Sequence, residues 1–192
     1  MKGPLVVLDA GHGGDDEGAK VRRLQEKGIT LLAALYAKKH LEEMGYRVLL
    51  TRSKDVYVSL PKRVSIANKT NGAVFVSIHF NSAGNAAAEG VEVFYYRDRD
   101  SQRMPQSQKL ASYLLHGVIG QTESLSRGVK SGNFYVIRET EMPAVLVEAG
   151  FMTNNREWEC LRKKSYVDKI SKGIALGIDA YLQSSKIVLG AS

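Results

Sequence analysis

Four side chains in this 192-residue chain are of a kind that hydrolyses bonds at a bound metal ion. His12 follows the apolar run Leu5-Val6-Val7-Leu8, within Asp9-Ala10-Gly11-His12-Gly13-Gly14. His79 follows a second run, Ala73-Val74-Phe75-Val76-Ser77-Ile78. Glu148 follows a third, Ala144-Val145-Leu146-Val147, and Glu26 opens the helical stretch after the first run. A lone histidine at a strand end is readily a loop cap, and a glutamate in a first helical turn is favoured by the helix dipole alone. A carboxylate at the tip of a buried strand is different, because burying it unpaired is costly. Two imidazoles and one carboxylate with an open fourth position are a common catalytic zinc set. Such an ion polarises a carbonyl and acidifies water, and a second carboxylate can carry the proton to a leaving nitrogen. Residue types alone leave open which glutamate would bind the ion. They also leave open zinc, manganese or iron.

These four groups can meet only if the strands end side by side, as ligand-binding strand tips do in open α/β sheets. The pattern predicts strands over 5–8, 46–51, 73–78, 90–96, 134–138 and 144–147. Helices are expected over 24–44, 59–69, 106–119, 155–163 and 166–182. The first helix carries Leu24, Leu31, Leu32, Leu35, Tyr36, Leu41 and Met44 at helical spacing and stops at Gly45. Alternating strands and helices imply an α/β domain. Its expected core is a central, mostly parallel (mixed) twisted sheet of about six strands with helices on both faces. Residues 1–184 form this one domain, and 185–192 read as a frayed tail. Asp15, Asp16 and Glu17 read as a solvated acidic loop. Asp9 either orders a ligand or caps the turn. His40, His116 and Cys160 read as structural. Asn81 is either a substrate contact or a strand-end hydrogen bond, and Arg63 either an ion-pair partner or a substrate contact.

The formal net charge of +7 is dispersed, with no run of five or more basic residues. It suits an anionic partner, but no aromatic-basic cluster supports nucleic-acid binding. A single cysteine excludes an intramolecular disulfide and a cysteine-based zinc site. No stretch approaches the ~18 apolar residues of a membrane span. The first residues lack the pattern of a signal peptide.

Asp9-Ala10-Gly11-His12-Gly13-Gly14, Gln25-Glu26-Lys27, Ser77-Ile78-His79-Phe80-Asn81 and Val147-Glu148-Ala149-Gly150-Phe151-Met152-Thr153-Asn154 resemble four signature blocks. These are the blocks of the zinc-dependent N-acetylmuramoyl-L-alanine amidases of the type-3 peptidoglycan amidase family. Thr51-Arg52 and the Leu60, Arg63, Ala67-Asn68 pattern fit as well. The resemblance implies Zn2+ held by His12, Glu26 and His79, with Glu148 as the catalytic general base and acid. It implies cleavage between the lactyl group of N-acetylmuramic acid and L-alanine, in wall remodelling, daughter-cell separation or lysis. A zinc peptidase cutting within stem peptides, or an inactive wall-binding module, are the alternatives. Ala10 and Phe80 depart from the family's frequent proline and small residue. Some relatives insert a blocking helix after the strand matching 90–96. Here that strand leads almost directly to the next helix, so an open site needing no activator is expected. The resemblance further implies peptidoglycan as partner, a monomer, and a place in the cell envelope with the export signal absent from this chain.

Overall fold

The computed structural model describes residues 3–98 and 102–189, with side chains to residue 185. A six-stranded sheet forms the centre, in the order β4-β1-β5-β8-β6-β7. Its strands are β1 (Leu5–Ala10), β4 (Arg47–Leu50), β5 (Val74–Asn81), β6 (Val91–Tyr95), β7 (Ser126–Ser131) and β8 (Ala144–Phe151). All neighbours pair in parallel except β6 and β8, so β6 and β7 run against the rest. This is the expected single mixed α/β sheet.

Side chains alternate across each strand, and both faces are covered. Val6, Leu8, Val74, Val76, Val145 and Val147 face α1 (Glu26–Glu43), α3 (Arg103–Thr122) and α6 (Lys164–Leu189). Val7, Phe75, Ala144 and Leu146 face the other way, onto α2 (Leu60–Asn68) and α4 (Tyr135–Glu139). A short α5 (Asn155–Leu161) follows β8, capped by the Asn154 side chain, which accepts from the backbone N–H of Arg156 and Glu157. Helices α3 and α6 touch backbone to backbone. A Cβ on Gly117 would lie 2.3 Å from the Gly173 carbonyl oxygen, and one on Gly177 would lie 2.7 Å from that of Tyr113.

Several boundaries differ from the sequence expectation. Leu24 and Gln25 are not helical but form β3, which pairs with β2 (Lys20–Val21) in a small hairpin. Helix α1 therefore begins at Glu26, and it stops as expected, with Gly45 at φ 92°. Residues 134–138 were expected as a strand, but 135–139 form helix α4. The aromatic and β-branched composition favours a strand, but Val136 and Ile137 are both buried against one face of the sheet. Consecutive strand residues point to opposite faces, so only a helical turn buries both there. Strand β7, Ser-Arg-Gly-Val-Lys-Ser, has too little apolar content to read as a strand and owes its form to pairing with β6. Strands β5 and β8 continue past His79 and Glu148 to Asn81 and Phe151. The backbone of α6 runs to Leu189, and the end of the expected tail, residues 190–192, lies outside the described residues.

Candidate active site

At the carboxyl end of β1 the chain turns through Gly11 and places His12 in the left-handed region, φ 61°. A non-glycine residue holds that conformation only when its surroundings demand it. Here the demand comes from two buried arginines. Arg63 donates to the carbonyls of Ala10 and His12 (2.5 and 2.7 Å) and to Val58 (2.8 Å). Arg52 donates to Ala10 (3.0 Å) and Gly11 (2.8 Å), and to Lys27 at the start of α1 (2.9 Å). The loop carbonyls are thus tied to the first turn of α1, which carries Glu26.

Glu26 then sits between the two histidines. Its Oε2 lies 3.1 Å from His12 Nε2, and its Oε1 lies 3.0 Å from His79 Nδ1. The backbone N–H groups of Ala19 and Phe80 donate to the same two oxygens, at 2.9 and 3.1 Å. One ligand atom from each of His12, Glu26 and His79 lies within 4.8 Å of the others. Burial pushes the Glu26 carboxyl up, but the imidazoles and the Ala19 amide outweigh it and hold it well below the usual range. Burial pushes His12 down, and the carboxylates of Glu26 and Asp16 outweigh that, leaving it raised. Two glycines make the crowding possible. A Cβ at Gly11 would meet His79 Cε1 at 2.2 Å, and one at Gly18 would meet Glu26 Oε2 at 2.6 Å.

Glu148 stands opposite His79 in the β5–β8 register and lines the same cleft. Its Oε2 is buried and has no hydrogen-bond partner among the described residues. Burial first, then the charges of Glu26 and Glu92, push its carboxyl well above the usual range. Two imidazoles and an ionised carboxylate converging beside an orphaned acid form a donor set that suits a divalent cation.

Asp16 was not expected to take part, since its acidic neighbours suggested a solvated loop. Both its oxygens lie 2.9 Å from His12 Nδ1, and Oδ1 also accepts from Gly18 N. A carboxylate on one ring nitrogen orients the other toward a metal. The only sequence signal was an acid four residues from a histidine across a glycine turn. Asn81 lines the cleft, donating to Glu92 Oε1 at 2.9 Å. Of the two readings of Arg63, ion-pair partner or substrate contact, the structure shows the ion pair, and Arg63 is an internal clamp. Its side chain is 3% exposed and pairs at 2.8 Å with Asp9, itself 1% exposed and hydrogen-bonded by Thr51 and Ser77. His40 bonds Asp168 of α6, His116 bonds the Ser112 carbonyl, and Cys160 is a half-buried free thiol.

The family model described as N-acetylmuramoyl-L-alanine amidase matches residues 6–180. The uncharacterized protein YqiI of Bacillus subtilis is 38% identical over 181 residues, covering 94% of this chain and 86% of that protein. The N-acetylmuramoyl-L-alanine amidase CwlM of Bacillus licheniformis is 35% identical over 191 residues, covering 94% and 70%. Among solved structures, the catalytic domain of the amidase CwlV from Paenibacillus polymyxa superposes with a TM-score of 0.87. It is 39% identical and covers 94% of this chain and 98% of that one. The CwlD amidase of Clostridioides difficile, solved in complex with the GerS lipoprotein, gives 0.87 at 30% identity, covering 94% and 99%. The family match runs through all four residues of the cleft, and the chain belongs to the N-acetylmuramoyl-L-alanine amidase family.

Proposed function

We propose that this protein hydrolyses the amide between the lactyl group of N-acetylmuramic acid and the L-alanine of peptidoglycan stem peptides. In this reading His12, Glu26 and His79 hold a zinc ion and Glu148 is the general base and acid. The observation that carries it is the convergence of these three ligand atoms next to the unpartnered Glu148 Oε2. Two imidazoles with one carboxylate suit zinc better than the all-oxygen sets that hard cations take. The ion would supply positive charge that polarises the amide carbonyl and acidifies a water molecule.

The side chains do the rest. Glu26 contributes a single negative charge, so these three ligands by themselves would leave a bound divalent ion with positive charge toward the carbonyl. Asp16 fixes the His12 ring, and the backbone amides of Ala19 and Phe80 fix Glu26. Glu148 takes the proton from the attacking water and delivers it to the alanine nitrogen as the C–N bond breaks. Burial first, and then the charges of Glu26 and Glu92, raise its proton affinity, which suits a group that must hold a proton between two transfers.

Relatives named as probable cell wall amidases, such as LytH of Staphylococcus epidermidis at 33% identity, support action in the cell envelope. Among the described residues no helix lies between β6 and α3. In this reading the cleft is open and the protein cuts without an activating partner. The test is metal analysis of the purified protein together with digestion of purified sacculi and mass spectrometry. The expected products are denuded glycan and stem peptides with a free L-alanine amine. Glu148→Gln should keep its metal and lose hydrolysis. Full activity in that variant, or fragments cut within the peptide, would overturn the proposal.

A further inference from the structure

The cleft holding His12 and His79 extends in two directions of unlike chemistry. One arm, about 340 Å³, is walled by Tyr57, Val58, Leu60, Phe134, Tyr135 and Val136. Tyr57 is 61% exposed, Leu60 51% and Phe134 37%. Large apolar side chains left in water around one cleft mark a surface that meets a ligand. The charged groups lining this arm are committed within the protein, Arg63 to Asp9 and three carbonyls, and Asp16 to His12 and the Gly18 N–H. The other arm passes Gly18, Asn81, Ser82 and Glu148. Beside Asn81, Glu92 carries both Arg127, at 2.9 Å, and Lys130. These two half-exposed cations share that one carboxylate, so one positive charge there is left over.

We infer that the aromatic arm is a glycan subsite, which takes the N-acetylated hexosamines next to the cleaved bond, and that the stem peptide lies along the Asn81 arm. The inference rests on the amidase reading. A pyranose face is a sheet of C–H groups, and the negative face of an aromatic ring attracts such hydrogens while the apolar contact is buried. The glycan beside the scissile bond carries no charge, because the muramic carboxyl is tied up in the amide. The stem peptide carries free carboxylates. The aromatic arm's cation, Arg63, is already paired to Asp9, whereas Arg127 and Lys130 draw these carboxylates to the other arm.

The two halves of the substrate separate the arms experimentally. NMR titration of the zinc-loaded full chain would use an N-acetylglucosamine tetramer and, separately, a free stem tetrapeptide. Tyr57→Ala should weaken the sugar by tenfold or more and leave the peptide within twofold. Tyr57→Phe should bind both as the parent does. Lys130→Gln should weaken the peptide, most clearly at low salt, and spare the sugar. Tetramer binding that is absent in the parent, or unchanged in Tyr57→Ala, overturns the assignment, as does a Tyr57→Ala defect confined to the peptide. A parent protein that binds both fragments as expected, yet fails to cut intact muropeptides, sinks the amidase reading and leaves the two arms standing.

Discussion

Replacing Arg63 by methionine separates an internal clamp from a substrate contact. The guanidinium is 3% exposed and reaches Asp9 and the carbonyls of Val58, Ala10 and His12. Methionine fills much of the same space but leaves Asp9 ionised and buried, with only the Thr51 and Ser77 hydroxyls. Breaking a buried pair in this way costs about 3–5 kcal/mol. In a domain of this size that lowers Tm by roughly 6–20 °C. Thermal unfolding should be followed on metal-stripped protein, so that any loss of the ion does not enter. The pH dependence adds a second check. Burial pushes the native Asp9 carboxyl up, but Arg63, Thr51 and Ser77 outweigh it and hold it below 3.8. The parent pair therefore stabilises fully above that value and weakens only as pH falls through the lower, folded one. In Arg63→Met burial is opposed only by the Thr51 and Ser77 hydroxyls and the Arg52 charge, so the folded carboxyl titrates higher than in the parent. The defect is then largest at neutral pH and shrinks as pH falls and Asp9 takes up a proton. Asp9→Asn combined with Arg63→Met should recover part of the loss, since no buried charge is left unpaired. A variant with unchanged Tm at pH 7 but a raised KM would refute the clamp and make Arg63 a substrate contact after all.

Asp16→Asn should lower zinc affinity about 10-fold to 100-fold, measured by competition with a chromophoric chelator. The lower end is expected, because Asp16 is half-exposed, and a change below twofold would mean that His12 is oriented without it. Gly117→Ala should lower Tm, because its Cβ would press at 2.3 Å on the Gly173 carbonyl and force α3 and α6 apart, costing about 1–3 kcal/mol. Gly120→Ala, on the same helix with open space around it, should instead raise stability by roughly 0.4–1 kcal/mol. Equal shifts from the two alanines would remove close backbone contact as the explanation.

Local pattern alone was enough to place His12, His79 and Glu148 at the business ends of strands. The runs Leu5–Leu8, Val74–Ile78 and Ala144–Val147 are apolar on both faces, which only a central strand covered by helices on each side explains. The stop of α1 at Gly45 was equally local, since a left-handed C-terminal residue asks for glycine. Pairing partners, by contrast, leave no periodic trace. Strand β7 exists because β6 offers it hydrogen bonds, and 135–139 coil because the sheet buries Val136 and Ile137 together. The same holds within the site. Asp16 looked solvated until the glycine turn folded it back on His12, and an ion pair was one reading of Arg63 but its partner, Asp9, was not legible. Sequence determines which chemistry is present and on which element, through periods of two and 3.6 that each segment carries by itself. Tertiary structure alone decides which donor meets which acceptor, because those contacts join residues far apart in the chain and depend on how the strands and helices pack.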